Sequence, residues 1–199
     1  MLDTRFSDNI MPIRNTYKPD HDQMDHDEAV LRFRDGSAEA FKFLHSIYSD
    51  KIYRFCLRMM GDKEQASDAY QDTFIKVYEN SGTFRTENFS SWIYTIARRT
   101  CLNHIRAIKN HADFDEALTV VDKTKQKDYM LKKSIDDAIN QLSLGLKEAF
   151  LLREYQECSY QDIADILDID LSSAKVRVHR ARQKLRVLLE PVIREYDEY

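Results

Sequence analysis

The segment SYQDIADILDIDLSSAKVRVHRARQKLR, residues 159–186, limits the possible folds more than any other part of the chain. Ser159 stands three residues before Asp162, the spacing of a capping box, and Ile163, Ala164 and Leu167 form one apolar side of a short helix. Asp168-Ile169-Asp170 breaks that pattern, and Asp170 or Ser172 can cap a second helix. In the second helix Ala174, Val178, Ala181 and Leu185 recur every three or four residues and so face inward. Lys175, Arg177, His179, Arg180, Arg182, Lys184 and Arg186 take the remaining surface, and no acid interrupts it between Ser172 and Leu189. Two capped helices joined by so tight a turn predict a helix-turn-helix, whose second helix suits the major groove of DNA. A solvated amphipathic helix also carries such charge. Confinement of the cations to the second helix favours nucleic acid.

The 199 residues include only four glycines and three prolines and are 43% hydrophobic, which predicts an all-α chain of two small helical domains. The formal net charge is −4, so any DNA-binding field must be local. No apolar run is long enough to span a bilayer and the first residues lack a signal-peptide core, which predicts a cytoplasmic protein without membrane insertion. Cys56, Cys101 and Cys158 lie far apart and outside any C-x-x-C pairing, so buried, reduced thiols are expected rather than a disulfide framework or zinc site. His21 and His26 lie among aspartates, but nothing fixes them as metal ligands, and no cofactor or metal is expected.

Residues 1–25 lack helical periodicity and read as a flexible extension. A helix then ends at Asp35-Gly36, Ser37 caps a longer one, and Gly61-Asp62 ends that. A third, about Lys63 to Glu79, turns Ala66, Ala69, Tyr70, Phe74, Val77 and Tyr78 inward, leaving Asp68, Gln71, Asp72 and Ile75 around the outside. An apolar Ile75 among polar neighbours hints at a partner surface, although single exposed apolar residues are common. Gly82 ends this helix, the loop SGTFRTENF follows, and Ser90 caps a fourth helix. Trp92, Ile93, Ile96, Ala97 and Thr100 form its core side. Arg99, Asn103 and Arg106 share another face, where cations flanking an amide suit phosphates and a base edge but equally suit a merely solvated face. Weak periodicity over residues 111–133 marks an interdomain linker, after which residues 134–157 supply two helices to wrap the helix-turn-helix. No glycine-rich phosphate loop, G-x-S-x-G or H-E-x-x-H occurs, which argues against an enzyme.

Taken in order, DGSAEAFKFLHSIYSDKIYRF, ASDAYQDTFIKVYENSGTFR, NFSSWIYTIARRTCLNHIR and LKEAFLLREYQECSYQDIADILDIDLSSAKVRVHRARQKLR resemble a bacterial RNA polymerase sigma factor of the extracytoplasmic-function (ECF) group, in the sigma-70 family. The resemblance covers about residues 27–190. It implies sigma domain two over 26–110, a linker over 111–133, sigma domain four over 134–194 and an acidic tail over 195–199.

By position, the resemblance implies that Asp68, Gln71, Asp72, Phe74 and Ile75 bind core RNA polymerase at the clamp helices of its largest subunit, while domain four meets the flap of the second-largest. It implies contacts to the promoter −10 element from Phe84 and Arg85 in the loop and from Arg99, Asn103 and Arg106, with promoter melting at that site. Arg99 stands where an asparagine is common in the family. Lys175, Val176, Arg177, His179, Arg180 and Arg182 match the helix that meets the −35 element, although Ser172-Ser173-Ala174 replaces a common Gly-Thr-Val. An anti-sigma factor is a further partner that the resemblance implies. The competing reading is a free-standing helix-turn-helix regulator, which would leave residues 63–106 without a role.

Overall fold

Small polar residues set most helix starts. In the computed structural model, which describes residues 24–85, 88–111 and 126–197, eight α-helices and one short 3-10 turn account for nearly all the backbone. Asp25 caps α1 (His26–Arg34), Ser37 caps α2 (Ala38–Met60) and Asp62 caps α3 (Lys63–Glu79), each side chain accepting from a backbone N–H of the first turn. Gly61 ends α2 at φ 78°, a left-handed conformation that glycine adopts without a Cβ penalty. The third helix ends at Asn80 rather than Gly82, and the 3-10 turn Ser81–Thr83 follows. Helix α4 (Phe89–His111) starts one residue before the expected cap: Asn88, not Ser90, accepts from the Ser91 N–H at 3.0 Å.

Helix α5 (Gln126–Asn140) begins inside the stretch expected as linker. It is followed by α6 (Leu144–Glu154), α7 (Tyr160–Leu167) and α8 (Leu171–Asp197). The extension expected over 1–25 lies outside the described residues except for its last two positions, as do residues 112–125. Among the described residues there is no strand, no helix long and apolar enough to cross a membrane, and no group of side chains able to hold a metal ion.

The first four helices enclose an aromatic core. Phe33, Phe84, Phe89 and Trp92 meet edge-on or tilted, with Phe84 and Trp92 centroids 4.9 Å apart and Phe33 and Phe89 5.6 Å apart, an arrangement favoured by the ring quadrupoles. Ile52, Phe55, Cys56, Ile93, Ala97 and Cys101 complete the centre. Tyr78, expected inside, is instead 54% exposed: it lies past the inward stripe and meets Phe41 in a T-shaped contact with centroids 5.1 Å apart. The last four helices continue the same apolar cluster around Leu151, Leu152, Ile163 and Ile166, against which Ala174, Val178, Ala181 and Leu185 pack from α8. All three cysteines are buried. Cys101 is held in its thiol form by its hydrogen bond with Cys56 and by burial, and burial pushes Cys158 up to about 12.

The apolar cluster runs through both units, and polar side chains bridge them at its edge. Arg98 on α4 grips Glu148 on α6 with Nε at 2.9 Å and a second nitrogen at 3.4 Å. Tyr94 donates to Gln156 at 2.6 Å, and Asn88 and Ser91 donate to one oxygen of Asp162 at 2.7 and 2.9 Å. Lys147 on α6 donates to the Met59 carbonyl at the negative end of α2 and to Asn140. The Arg58 guanidinium lies 3.8 Å from the Tyr155 ring centroid.

Candidate nucleic-acid interface

The helix-turn-helix forms as its capping residues dictate. Ser159 and Asp162 make a full capping box on α7, and Asp168 reverses the chain at φ 54°. Asp170 then accepts from the Ser173 N–H at 2.8 Å and from the hydroxyls of Ser172 and Ser173, so Asp170 rather than Ser172 caps α8. Those hydrogen bonds, the Ser172 bond foremost, hold its carboxyl well below the usual carboxylate range.

With Ala174, Val178, Ala181 and Leu185 buried, Lys175, Val176, His179 and Arg180 lie together on the outer side of α8. Nothing in the structure engages the charges of Lys175 and Arg180 in an ion pair among the described residues. Of three other cations expected to face outward, two are engaged by the domain itself and one is half-buried. Arg182 pairs with Glu154 on α6, Lys184 donates to the Gln141 carbonyl, and Arg177 is half-buried against Gly145, where even a Cβ would come within 3.3 Å of its guanidinium.

A second cationic face lies on α4. Arg99, Asn103 and Arg106 are on the side away from Ile93, Ala97 and Cys101. The loop beside them differs from expectation. Phe84 is only 3% exposed, wedged between Phe89 and Trp92, so it braces the loop from within and presents no ring to a base. Arg85 is exposed but bends back to donate to the Gly82 and Phe84 carbonyls.

On α3, Asp68, Gln71 and Ile75 are exposed, Ile75 at 54%. Phe74 is buried against Tyr70 and His45, since its position falls within the inward stripe, and it cannot form part of an outer contact surface. Asp72 is half-buried and accepts a hydrogen bond from His104 of α4. The interdomain residues Arg98, Lys147, Glu148, Gln156 and Asp162 were not singled out by sequence reasoning as an interface. Glu148 carried a signal nonetheless: it lies four residues from both Leu144 and Leu152, on the apolar side of its helix.

Comparison with known proteins places both units. Residues 44–111 match the family model described as Sigma-70 region 2, and residues 132–185 match Sigma-70, region 4. The RNA polymerase sigma-H factor of Pseudomonas aeruginosa is 32% identical over 186 residues, covering 84% of this chain and 95% of that protein. The ECF RNA polymerase sigma factor SigW of Bacillus subtilis is 32% identical, covering 79% and 92%. The chain belongs to the sigma-70 family, in its ECF group. As a sigma factor it directs RNA polymerase and catalyses no reaction itself. The region 2 match gives residues 63–106 a place that a free-standing helix-turn-helix regulator lacks. The fold is shared with solved sigma factors: RpoE of Bartonella quintana, in complex with the anti-sigma factor NepR, superposes with a TM-score of 0.66 at 24% identity, covering 77% of this chain and 98% of that one. CnrH, in complex with the cytosolic domain of CnrY, gives 0.67 at 19% identity, covering 84% and 99%.

Proposed function

We propose that this sigma factor binds core RNA polymerase through the outer face of α3, reads the promoter −10 element with α4 and its preceding loop, and reads the −35 element with α8. The observation that carries the reading is the pair of outward cationic faces, Arg99–Asn103–Arg106 and Lys175–His179–Arg180, one on each sigma region. Asn103 offers both donors and acceptors to a base edge between two phosphate-binding arginines. Arg180 and Lys175, free of internal ion pairs among the described residues, are available for base contacts on the central, solvent-facing part of α8, with Val176 beside them.

Domain two spans about 26–110 and domain four about 134–194. The net charge of −4 fits a specificity subunit whose tight promoter binding depends on core enzyme. Polymerase supplies nonspecific affinity and holds both domains on one template, which raises their effective concentration at the two elements. Melting follows from extrusion of a −10 base, whose unstacking is offset by stacking and hydrogen bonds in the pocket beside Asn103. The exposed part of α6 leaves domain four able to meet the polymerase flap while α8 lies on DNA. The site of action is the cytoplasm, and an anti-sigma factor is a partner, by analogy with the complexes of RpoE and CnrH.

Permanganate footprinting of holoenzyme on a cognate promoter tests the reading. Asn103→Ala is expected to leave core binding intact and to reduce reactivity in the −10 region. Unchanged melting with unchanged −10 selectivity would remove α4 from the site.

A further inference from the structure

We propose that Val176 reads the 5-methyl group of a thymine in the −35 element, so that the promoters of this sigma factor carry a T·A pair where the crest of α8 meets the groove. The inference deepens the reading of α8 as the −35 helix and rests on it.

Val176 stands where an apolar side chain is least expected. The buried stripe of Ala174, Val178, Ala181 and Leu185 fixes how α8 is turned. At about 100° per residue, Val176 points about 190° away from the middle of that stripe. It therefore occupies the crest of the outward face, with His179 and Arg180 one turn on and to either side. It is 44% exposed, and between Ser172 and Arg186 every other exposed residue of α8 is polar or charged. A lone exposed apolar residue is ordinary on a protein surface. This one lies in the second turn of the helix, and recognition helices present their N-terminal residues to base edges. Its branched side chain holds few rotamers in a helix, so fixing it against DNA costs little entropy.

The chemistry of the groove selects the base. Every base pair shows donors and acceptors in the major groove, but the thymine methyl is the one apolar group there. Against any other base edge, Val176 would strip water from donors or acceptors that it cannot satisfy. Against thymine, it removes two apolar surfaces from water at once. Cytosine lacks the methyl and the purines show N7 to the groove, so the preference is for thymine over all three other bases.

The test measures holoenzyme binding to a cognate promoter in which each thymine of the −35 element, on either strand, is replaced in turn by deoxyuridine. That base keeps every hydrogen-bonding group and lacks only the methyl. With wild type, one such replacement is expected to weaken binding about fourfold, the equivalent of one buried methylene. Val176→Ser is expected to bind the thymine and deoxyuridine duplexes alike. If circular dichroism showed that variant unfolded, Val176→Thr, which keeps the branched shape and one methyl, is expected to show a reduced difference. No thymine whose methyl matters to wild type, or the same methyl dependence in wild type and a folded Val176 variant, would overturn the proposal. Arg180→Ala on base-substituted duplexes tells the two failures apart. A changed preference elsewhere in the −35 element would keep α8 as the reading helix and discard the role of Val176, whereas no change at any −35 position would refute the face assignment itself.

Discussion

His104 of α4 donates a hydrogen bond to Asp72 of α3 at 2.8 Å, which ties the helix bearing the proposed −10 face to the helix bearing the proposed polymerase-docking face. Asp72 is therefore partly occupied within its own domain, and its neighbour Ile75, exposed and without such a tie, is the cleaner probe of docking. Ile75→Glu places a charge in the interface while changing stability by no more than about 0.5 kcal/mol, as is usual for surface positions. Core binding measured by interferometry should weaken by about tenfold or more, with an unchanged thermal midpoint. Wild-type affinity would move docking off this face.

Phe84 supplies a contrast between packing and DNA recognition. With its ring buried against Phe89 and Trp92, Phe84→Ala should destabilise the protein by about 3–5 kcal/mol. Urea unfolding followed by the fluorescence of Trp92 reports this directly. A fully stable variant that failed only in −10 binding would return Phe84 to the DNA-facing set.

Acid should weaken domain four through two caps. Burial alone would raise Asp162, but hydrogen bonds from Ser159, Ser91 and Asn88 outweigh it and hold the carboxyl below its ordinary value, and Asp170 is likewise depressed by Ser172 and Ser173. A depressed folded-state value means that the stabilisation is complete above the unfolded carboxyl value of about 3.9 and is lost as pH falls below it toward the folded values. Unfolding monitored by circular dichroism between pH 6 and 2 should show this fall. Asp162→Asn should flatten it, because asparagine carries no titrating proton.

Arg182 and Arg180 separate a structural cation from a reading one. The Arg182–Glu154 pair is half-exposed, so Arg182→Ala should cost about 0–1 kcal/mol of stability and leave −35 preference unchanged. Arg180→Ala should discard about 1–3 kcal/mol of base discrimination. Where either arginine also neutralises a phosphate, its removal should flatten the salt dependence by about one unit of slope. Filter binding of holoenzyme at several salt concentrations distinguishes these effects.

The helix-turn-helix was legible because its information is local: the capping box, the Asp170 cap and the Ala174, Val178, Ala181, Leu185 stripe all lie within one or two turns of the residues they order. Local reasoning was less precise at the loop before α4, where Asn88 outcompetes Ser90 for the cap and the aromatic cluster draws Phe84 inward. It also places Arg177, Arg182 and Lys184 on the outward side, since Glu154 and Gln141, which engage Arg182 and Lys184, and Gly145, beside which Arg177 lies, are remote in sequence. Pairing of Arg98 with Glu148, fifty residues apart, is tertiary information of the same kind. Only the place of Glu148 in an apolar stripe foreshadowed it.

Promoter-library transcription with core polymerase and wild-type, Asn103→Ala or Arg180→Ala protein, read by sequencing the transcripts, tests the central claim most directly. Asn103→Ala should alter base preference only within the −10 element and Arg180→Ala only within the −35 element. Shifts at the same element in both variants, or at neither element, would contradict the assignment of one promoter element to each domain.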